Sequence, residues 1–425
     1  MVSKYKETEI GSIPEEWDVI SLSDAFQNLE AGVSVNSDER QNADFFVLKT
    51  SAISDGLINI DEAKPVVKKE YARLKCPVKK GSIIISRMNT PQLVGACGYV
   101  AEDVKGYFLP DRLWQVVNSK PEKYDFRWLN YLLNQYRYKN AIHAVATGTS
   151  NSMKNISKER LLEIRIPRPS IEEQKFIVEA ISDIEALIYD LEKLIKKKRN
   201  IFTGTMQMLV TGKKRLSGFD GNWRVTTLDQ LCYIVTKQTG FDYSAEIKPS
   251  LVTTPQIGTI PFIQNKDFEA FDINYNTDFF IPYDVAEKYT RILLNEVCLL
   301  ISISGRIGNV AIFDNEQTSF AGGAVGIAKL YEPELASWCM LYLSSKDGQE
   351  QIFSNEKVGA QHNLTVADVR KLEIKMPAKS EREAIIKVLT DMNDEIEVLE
   401  EKLDKYQKIK QGMMEELLTG KVRLV

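Results

Sequence analysis

Two long stretches of this chain carry apolar residues at alternating steps of four and three. In the first, Ile177, Ile181, Ile184, Ile188, Leu191, Ile195 and Phe202 form one stripe, with Lys198 at the remaining position. In the second the stripe is Ile385, Leu389, Met392, Ile396, Leu399, Leu403 and Tyr406. Such spacing puts every marked residue on one face of an α-helix and describes a coiled-coil seam. Stripes of this length need a partner, and each helix offers one to the other. Ser170 followed by Glu173, and Ser380 followed by Glu383, predict capping boxes at the two helix starts. Elsewhere, short apolar runs between polar turns predict strands at 45–48, 82–86, 297–303 and 325–330, and helices at 126–137 and 335–344. The implied fold class is α/β in the mixed α+β sense.

The pattern occurs twice. The first copy runs through Asn155-Ile-Ser, Leu162-Glu-Ile-Arg-Ile-Pro167, the helical stripe and Leu209-Val-Thr-Gly-Lys-Lys-Arg-Leu216. The second runs through Asn363-Leu-Thr, Leu372-Glu-Ile-Lys-Met-Pro377, its stripe and Leu417-Leu-Thr-Gly-Lys-Val-Arg-Leu424. Asn155 and Asn363 are 208 residues apart, as are Thr211 and Thr419. The openings match as well, Trp17 and Leu22 against Trp223 and Leu228. The expected organisation is therefore a pseudo-two-fold repeat. It has a globular domain at 1–165, a helical spacer at 166–212, a second globular domain at 213–375 and a second spacer at 376–425.

Antiparallel pairing of the two helices is the economical arrangement. It lets the second domain begin and end at one end of the pair, whereas a parallel pair would make it span a helix about 60 Å long at 1.5 Å per residue. It also predicts that 419–425 lies beside the start of the first domain. The alternative is an intermolecular zipper, in which the same seams join two copies of the chain.

Composition changes the picture only a little. The chain has 425 residues, a formal net charge of −4 and 44% hydrophobic residues, ordinary values for a globular protein. An acidic balance counts against a simple DNA binder. However, residues 193–215 hold eight Lys or Arg and no acid, whereas 171–192 hold seven acids and one Lys. The polarity also suits a solvated helix complementing its own dipole. No apolar run is long enough to span a membrane and no signal-like leader opens the sequence, so a cytoplasmic protein is expected. Five scattered cysteines without a CxxC pair suggest buried thiols, not a metal site or a disulfide framework.

Candidate chemistry lies in polar turns at strand ends. Arg87, Asn89, Thr90 and Gln92 follow one apolar run, and Ser304, Arg306 and Asn309 follow its counterpart. Gln264, Asn265 and Lys266 follow a third, and Arg112 precedes a fourth. Arg suits guanine bidentately, and Asn or Gln suits adenine. Polar turns are also common without any such role, and for Arg112 pairing with Asp111 or another acid is the favoured reading. The stretches 147–152 and 359–363 are candidates for phosphate contact or are simply hairpin turns. No phosphate-binding loop, GxGxxG or HExxH motif is present. His143 and His362 stand in different repeats with no ligand set beside them, so no catalytic or metal residue is assigned.

The duplicated Leu-Glu-Ile-x-x-Pro junctions, Ile171-Glu-Glu-Gln174, the two Leu-x-Thr-Gly helix ends and the segments 81–91 and 299–309 resemble the specificity subunits of type I restriction-modification systems. The resemblance covers nearly the whole chain. It implies two target-recognition domains that each read one half of a split site on double-stranded DNA. It implies helices that set their spacing and dock two methyltransferase subunits, with restriction/translocase subunits joining for cleavage. S-adenosylmethionine and ATP are expected on those partners and no cofactor on this chain, which is expected to be non-catalytic and away from any membrane. Little similarity outside the repeated anchors points to an asymmetric target, with half-sites on the order of 34 Å apart. One departure stands out: Ala384 falls where Gln174 maps, so a contact made by that glutamine is not symmetrical. The alternatives are a stand-alone coiled-coil DNA-binding or scaffold protein without a methylase partner, and an enzyme with unrecognised machinery.

Overall fold

The computed structural model describes residues 4–40, 42–148, 153–269, 271–354 and 363–424. The chain forms two compact units, one of residues 1–192 with 401–425 and the other of residues 193–400. The division falls inside the two long helices, Ile171–Val210 and Lys379–Leu417. Each unit thus owns a segment of both.

In the first unit a four-stranded antiparallel sheet has the order Cys97–Tyr99, Ile83–Ser86, Leu113–Val116, Leu29–Ala31. Beside it, Phe46–Leu48 pairs in parallel with Tyr107–Phe108 and antiparallel with Ala63–Pro65. The second unit repeats both arrangements. Val310–Phe313, Cys298–Ser302, Val325–Leu330 and Cys232–Lys237 form the first sheet. Thr259–Ile263 pairs in parallel with Ser319–Ala321 and antiparallel with Phe280–Pro282. Ile83–Ser86 and Cys298–Ser302 are buried along their whole length, which explains their unbroken apolar runs.

Each unit is closed by a strand pair that the repeated anchors supply. Asp18–Ser21 pairs with Arg165–Arg168, and Arg224–Thr227 with Glu373–Met376. The helix expected at 126–137 is two helices, Phe126–Leu133 and Tyr136–Ala144. Gln135 stands at the break and its side-chain amide donates to the carbonyl of Met414 at 2.6 Å. The tertiary bond offsets the interruption of the helix.

The helix ends account for the Thr-Gly-Lys-x-Arg-Leu repeat. Gly212 and Gly420 take φ of 74° and 75°, the left-handed cap conformation that favours glycine. Beyond each cap an arginine turns back onto its own unit. Arg423 Nη2 lies 3.0 Å from Glu173 Oε2, and Arg215 Nη2 lies 2.6 Å from Glu381 Oε2. The C-terminal residues do lie beside the start of the first domain, since Tyr5 Oη donates to the carbonyl of Gly420 at 3.1 Å and Arg423 reaches Glu16 at 2.8 Å.

Two expectations at the helix starts need correction. Ser170 Oγ does accept the Glu173 amide at 3.2 Å, but the Glu173 carboxylate goes to Trp17 and Arg423 and does not return to the cap. In the second copy the equivalent acid is Glu381, not Glu383. The helix already starts at Lys379, and Ala378 O accepts the amides of Glu381 and Arg382 in place of a serine cap. That alignment makes Arg382, not Ala384, the counterpart of Gln174. The asymmetry persists: Gln174 is fully buried and bonds Asp125 N, Lys123 O and Pro169 O, whereas Arg382 Nη1 meets Met376 Sδ.

The two long helices pack together, and antiparallel. Glu185 pairs with Lys410 in the first unit, and Lys198 with Glu395 in the second, so partner numbers fall as helix numbers rise. The seam serves two neighbours. Ile177 and Ile181 join the core of the first unit with Trp128, Leu129 and Leu418. Leu191, Ile195, Ile385, Leu389 and Ile396 are buried, while Ile184, Ile188, Met392, Leu399 and Leu403 are half-buried. Among the described residues no helix is long and apolar enough to cross a membrane.

Candidate nucleic-acid interface

Strand ends build a groove in each unit, and the two grooves occupy equivalent places. In the first unit the chain leaving Leu29–Ala31, the end of Phe46–Leu48 and the turn entering Leu113–Val116 enclose about 470 Å³. Its polar lining includes Ser34, Lys49, Thr50, Lys64, Asp111 and Arg112. In the second unit the chain leaving Cys232–Lys237, the end of Thr259–Ile263 and the turn entering Val325–Leu330 enclose about 660 Å³. Here the lining includes Lys237, Gln238, Thr239, Tyr243 and Gln264. The scaffold is shared and the lining differs.

The loops beside the grooves are held by matched bonds. Arg87 N donates to Arg112 O at 3.1 Å, and Ile303 N to Ala324 O at 2.9 Å in the second copy. Ile156 N donates to Arg87 O and Leu364 N to Ile303 O, both at 2.9 Å. Asn89 is buried, its Nδ2 donating to Ser86 Oγ at 3.1 Å and to Thr50 O at 3.4 Å. Asn265 works in the reverse direction, its Nδ2 donating to Ser304 O at 2.8 Å. In both units an asparagine thus ties the loop after the inner strand to the turn after its neighbour. These two amides hold the rim together.

The other candidates divide by their electrostatics. Arg112 is exposed at the groove edge and makes no ion pair with any described residue, so the expected pairing with Asp111 or another acid is absent. Arg87 lies over the Trp114 ring at 5.5 Å, with Lys158 Nζ 6.0 Å from the same ring, and its Nε is enclosed without a hydrogen-bond partner. Thr90, Gln92, Arg306 and Asn309 are exposed on the loops. Lys266 meets Asp278 at 2.5 Å and Asp267 at 3.5 Å. The Asp278 contact, ahead of a smaller opposing effect of burial, holds its ammonium above the usual lysine range. Its charge is therefore largely balanced within the protein.

Sequence reasoning missed the lining from 237 to 243 and the residues 34, 49, 50 and 64. The signal available was the one used for the other loops, a polar turn leaving an apolar strand, here Val-Thr-Lys-Gln-Thr-Gly. The basic run 193–215 is partly absorbed by the fold, since Lys198, Arg199, Lys213 and Arg215 pair with Glu395, Glu400, Asp347 and Glu381. Among the described residues no three His, Cys, Asp or Glu side chains gather as they would around a metal ion. The 149–152 and 359–362 parts of the two approach loops, with His362, lie outside the described residues.

The chain matches the family model of the type I restriction modification DNA specificity domain twice, over residues 14–200 and 221–410. It is 25% identical over 435 residues to a chain described as the type I restriction enzyme MjaX specificity subunit of Methanocaldococcus jannaschii, with 99% of this chain and 97% of that one covered. Its fold is similar to the type I restriction-modification S subunit from M. genitalium, with a TM-score of 0.53 at 17% identity over 98% and 99% of the two chains. A chain from a study of complex assembly and conformational transition of the type I R-M system is similar too, with a TM-score of 0.58 at 15% identity over 96% and 99%.

Proposed function

This chain belongs to the type I restriction-modification DNA specificity subunits, and from that premise we propose that its two grooves each engage one half of a split, asymmetric DNA target. The observation that carries this reading is the recurrence of one groove at one place in two units with the same strand order, lined by different side chains. An identical scaffold conserves the approach of the duplex, while a different lining changes the bases read. Phosphate contacts position such a reader and base contacts specify it. Exposed cations that make no ion pair with any described residue, such as Arg112, Lys237 and Arg306, suit the first task.

The paired long helices dock methyltransferase subunits, two per chain, and restriction/translocase subunits join for cleavage. S-adenosylmethionine and ATP are held by those partners, and this chain performs no chemistry itself. Family membership and the double repeat support that division of labour. Partner subunits also supply part of the DNA clamp, which reconciles an overall charge of −4 with a polyanionic ligand.

The test is methylome sequencing of cells that express the assembled complex. Exchanging residues 1–165 for those of a relative is expected to change one half of the methylated motif and leave the other intact. Loss of both halves together, in a complex that still assembles, would refute the modular reading.

A further inference from the structure

At the end of strand Cys232–Lys237 the chain places one side chain in the exposed groove and folds the next one inward. Lys237 is exposed and makes no ion pair with any described residue. Gln238 is only 3% exposed, and both its Nε2 and its Oε1 are enclosed without a hydrogen-bond partner. Among the described residues it is the one carboxamide with both ends enclosed and without a partner. An amide left so is destabilising, because folding strips its water and returns nothing. A leucine of similar volume would fill the same space without that penalty. Packing therefore gives no reason for a glutamine here, and a ligand does.

The surroundings say what kind. Gln238 lines the groove of the second unit between Lys237 and Thr239, and Gln264 and Tyr243 belong to the same lining. Opposite it stands Gly323, where a Cβ would sit 3.2 Å from Gln238 Oε1, so the missing side chain leaves the amide room to turn. In the first unit the matching strand position is Gly32, since Ala31 opposite Trp114 corresponds to Lys237 opposite Gly326. A Cβ on Gly32 would lie 1.5 Å from the carbonyl oxygen of Leu109, so no side chain fits there. The amide is thus no part of the shared scaffold. It belongs to what distinguishes one groove from the other.

We propose that Gln238 is a specificity-determining residue of the second unit and that its carboxamide turns into the groove to read an adenine of that unit's half-site. The inference rests on the DNA-reading function proposed above. A carboxamide presents a donor and an acceptor side by side, the pair that adenine N6 and N7 complement. Lys237 contacts the adjoining phosphate and fixes the register.

The experiment uses the complex assembled with its methyltransferase subunits, carrying Gln238→Leu or Gln238→Glu. Binding is measured to the wild-type site and to duplexes with each base pair of the half-site changed in turn. The Leu variant is expected to lose discrimination on the order of 10- to 100-fold at one A·T pair, with the other half-site unaffected. The Glu variant, which only accepts, is expected to favour cytosine at that same position. Thermal melting accompanies both, and if Gln238→Leu does not fold, the Glu variant alone decides. An unchanged preference at every position, or a uniform loss across all of them, would overturn the proposal and show Gln238 to be a scaffold or water-holding residue. Failure of the wild-type complex to prefer any sequence would instead overturn the proposed function itself.

Discussion

Trp17 donates its indole N–H to the carboxylate of Glu173 at 2.9 Å, across more than 150 residues of chain. Glu173 is 2% exposed, and Arg423 completes its shell from the far terminus. Trp223, Glu381 and Arg215 repeat the arrangement in the second unit, with the indole bond at 3.0 Å. In both copies the closing arginine follows the glycine cap of a long helix, so helix termination and closure of the unit are one local event.

Arg423→Met should therefore loosen the first unit selectively. The change leaves a buried carboxylate without its cation, and breaking such a pair costs about 3 kcal/mol or somewhat more. Hydrogen exchange is expected to accelerate for the strands Asp18–Ser21 and Arg165–Arg168 while amides of the second unit keep their rates. Arg215→Met should do the converse. Equal acceleration in both units by either variant would contradict the idea of two separate clamps.

The helix pair should depend on its apolar seam far more than on its ion pairs. Arg199 and Glu400 approach to 2.6 Å, but their side chains are 64% and 37% exposed, and exposed pairs contribute roughly 0.2–1 kcal/mol. Ile195 is 6% exposed, and truncating such a residue to alanine costs roughly 2–4 kcal/mol. In urea denaturation, Ile195→Ala should shift the midpoint several times further than Arg199→Ala. A larger effect of Arg199→Ala would mean that charge, not burial, holds the helices.

The thiols supply a pH-dependent test. Burial pushes Cys97, Cys232 and Cys298 up to about 12, and burial followed by the charge of Glu30 pushes half-buried Cys76 up to about 11. The thiolate is the reactive form. A disulfide reagent at pH 8 should then label the native protein slowly and at Cys76 alone. Because pH 8 lies below the raised value, that rate should climb about tenfold per unit up to pH 10. All five cysteines should react in denaturant. Rapid native labelling of two or more thiols at pH 8 would show that the cores are not closed as described.

Much of this architecture was legible in the chain because it is periodic or repeated. The stripes from Ile177 and Ile385 specify helices by period alone, and the offset of 208 residues locates Arg215 and Arg423 before any coordinate is known. Ser380 shows where local reasoning stops. A serine three residues before a glutamate looks like a cap, yet Glu381 is drawn inward by Trp223 and Arg215, and tertiary partners set the helix start. The groove was only half legible. Arg112 and Gln264 were found as polar residues at strand ends, but Asn89 and Asn265 have the same local signal and turn out to tie the rim together. Whether a polar turn residue faces the groove or the neighbouring backbone depends on which strand lies beside it, and that is a non-local fact. Gln238 was missed for the same reason, since nothing in its neighbours along the chain marks it as buried and unpaired.

Arg112 and Lys266 separate charge that is available from charge that is already balanced. Arg112 is exposed at the groove edge and makes no ion pair with any described residue, whereas Lys266 lies 2.5 Å from Asp278 and 3.5 Å from Asp267. A phosphate contact releases counterions, so its loss lowers the slope of log K against log salt by about 0.9. For the complex assembled with its partner subunits, Arg112→Ala should weaken binding across all sequences and flatten that slope by about one contact. Lys266→Ala should leave the slope unchanged, because a cation held between two carboxylates carries little counterion-releasing charge. If Lys266→Ala flattens the slope and Arg112→Ala does not, Asp278 must give up its lysine when DNA binds, and the unbound electrostatics would no longer indicate which cations meet phosphate.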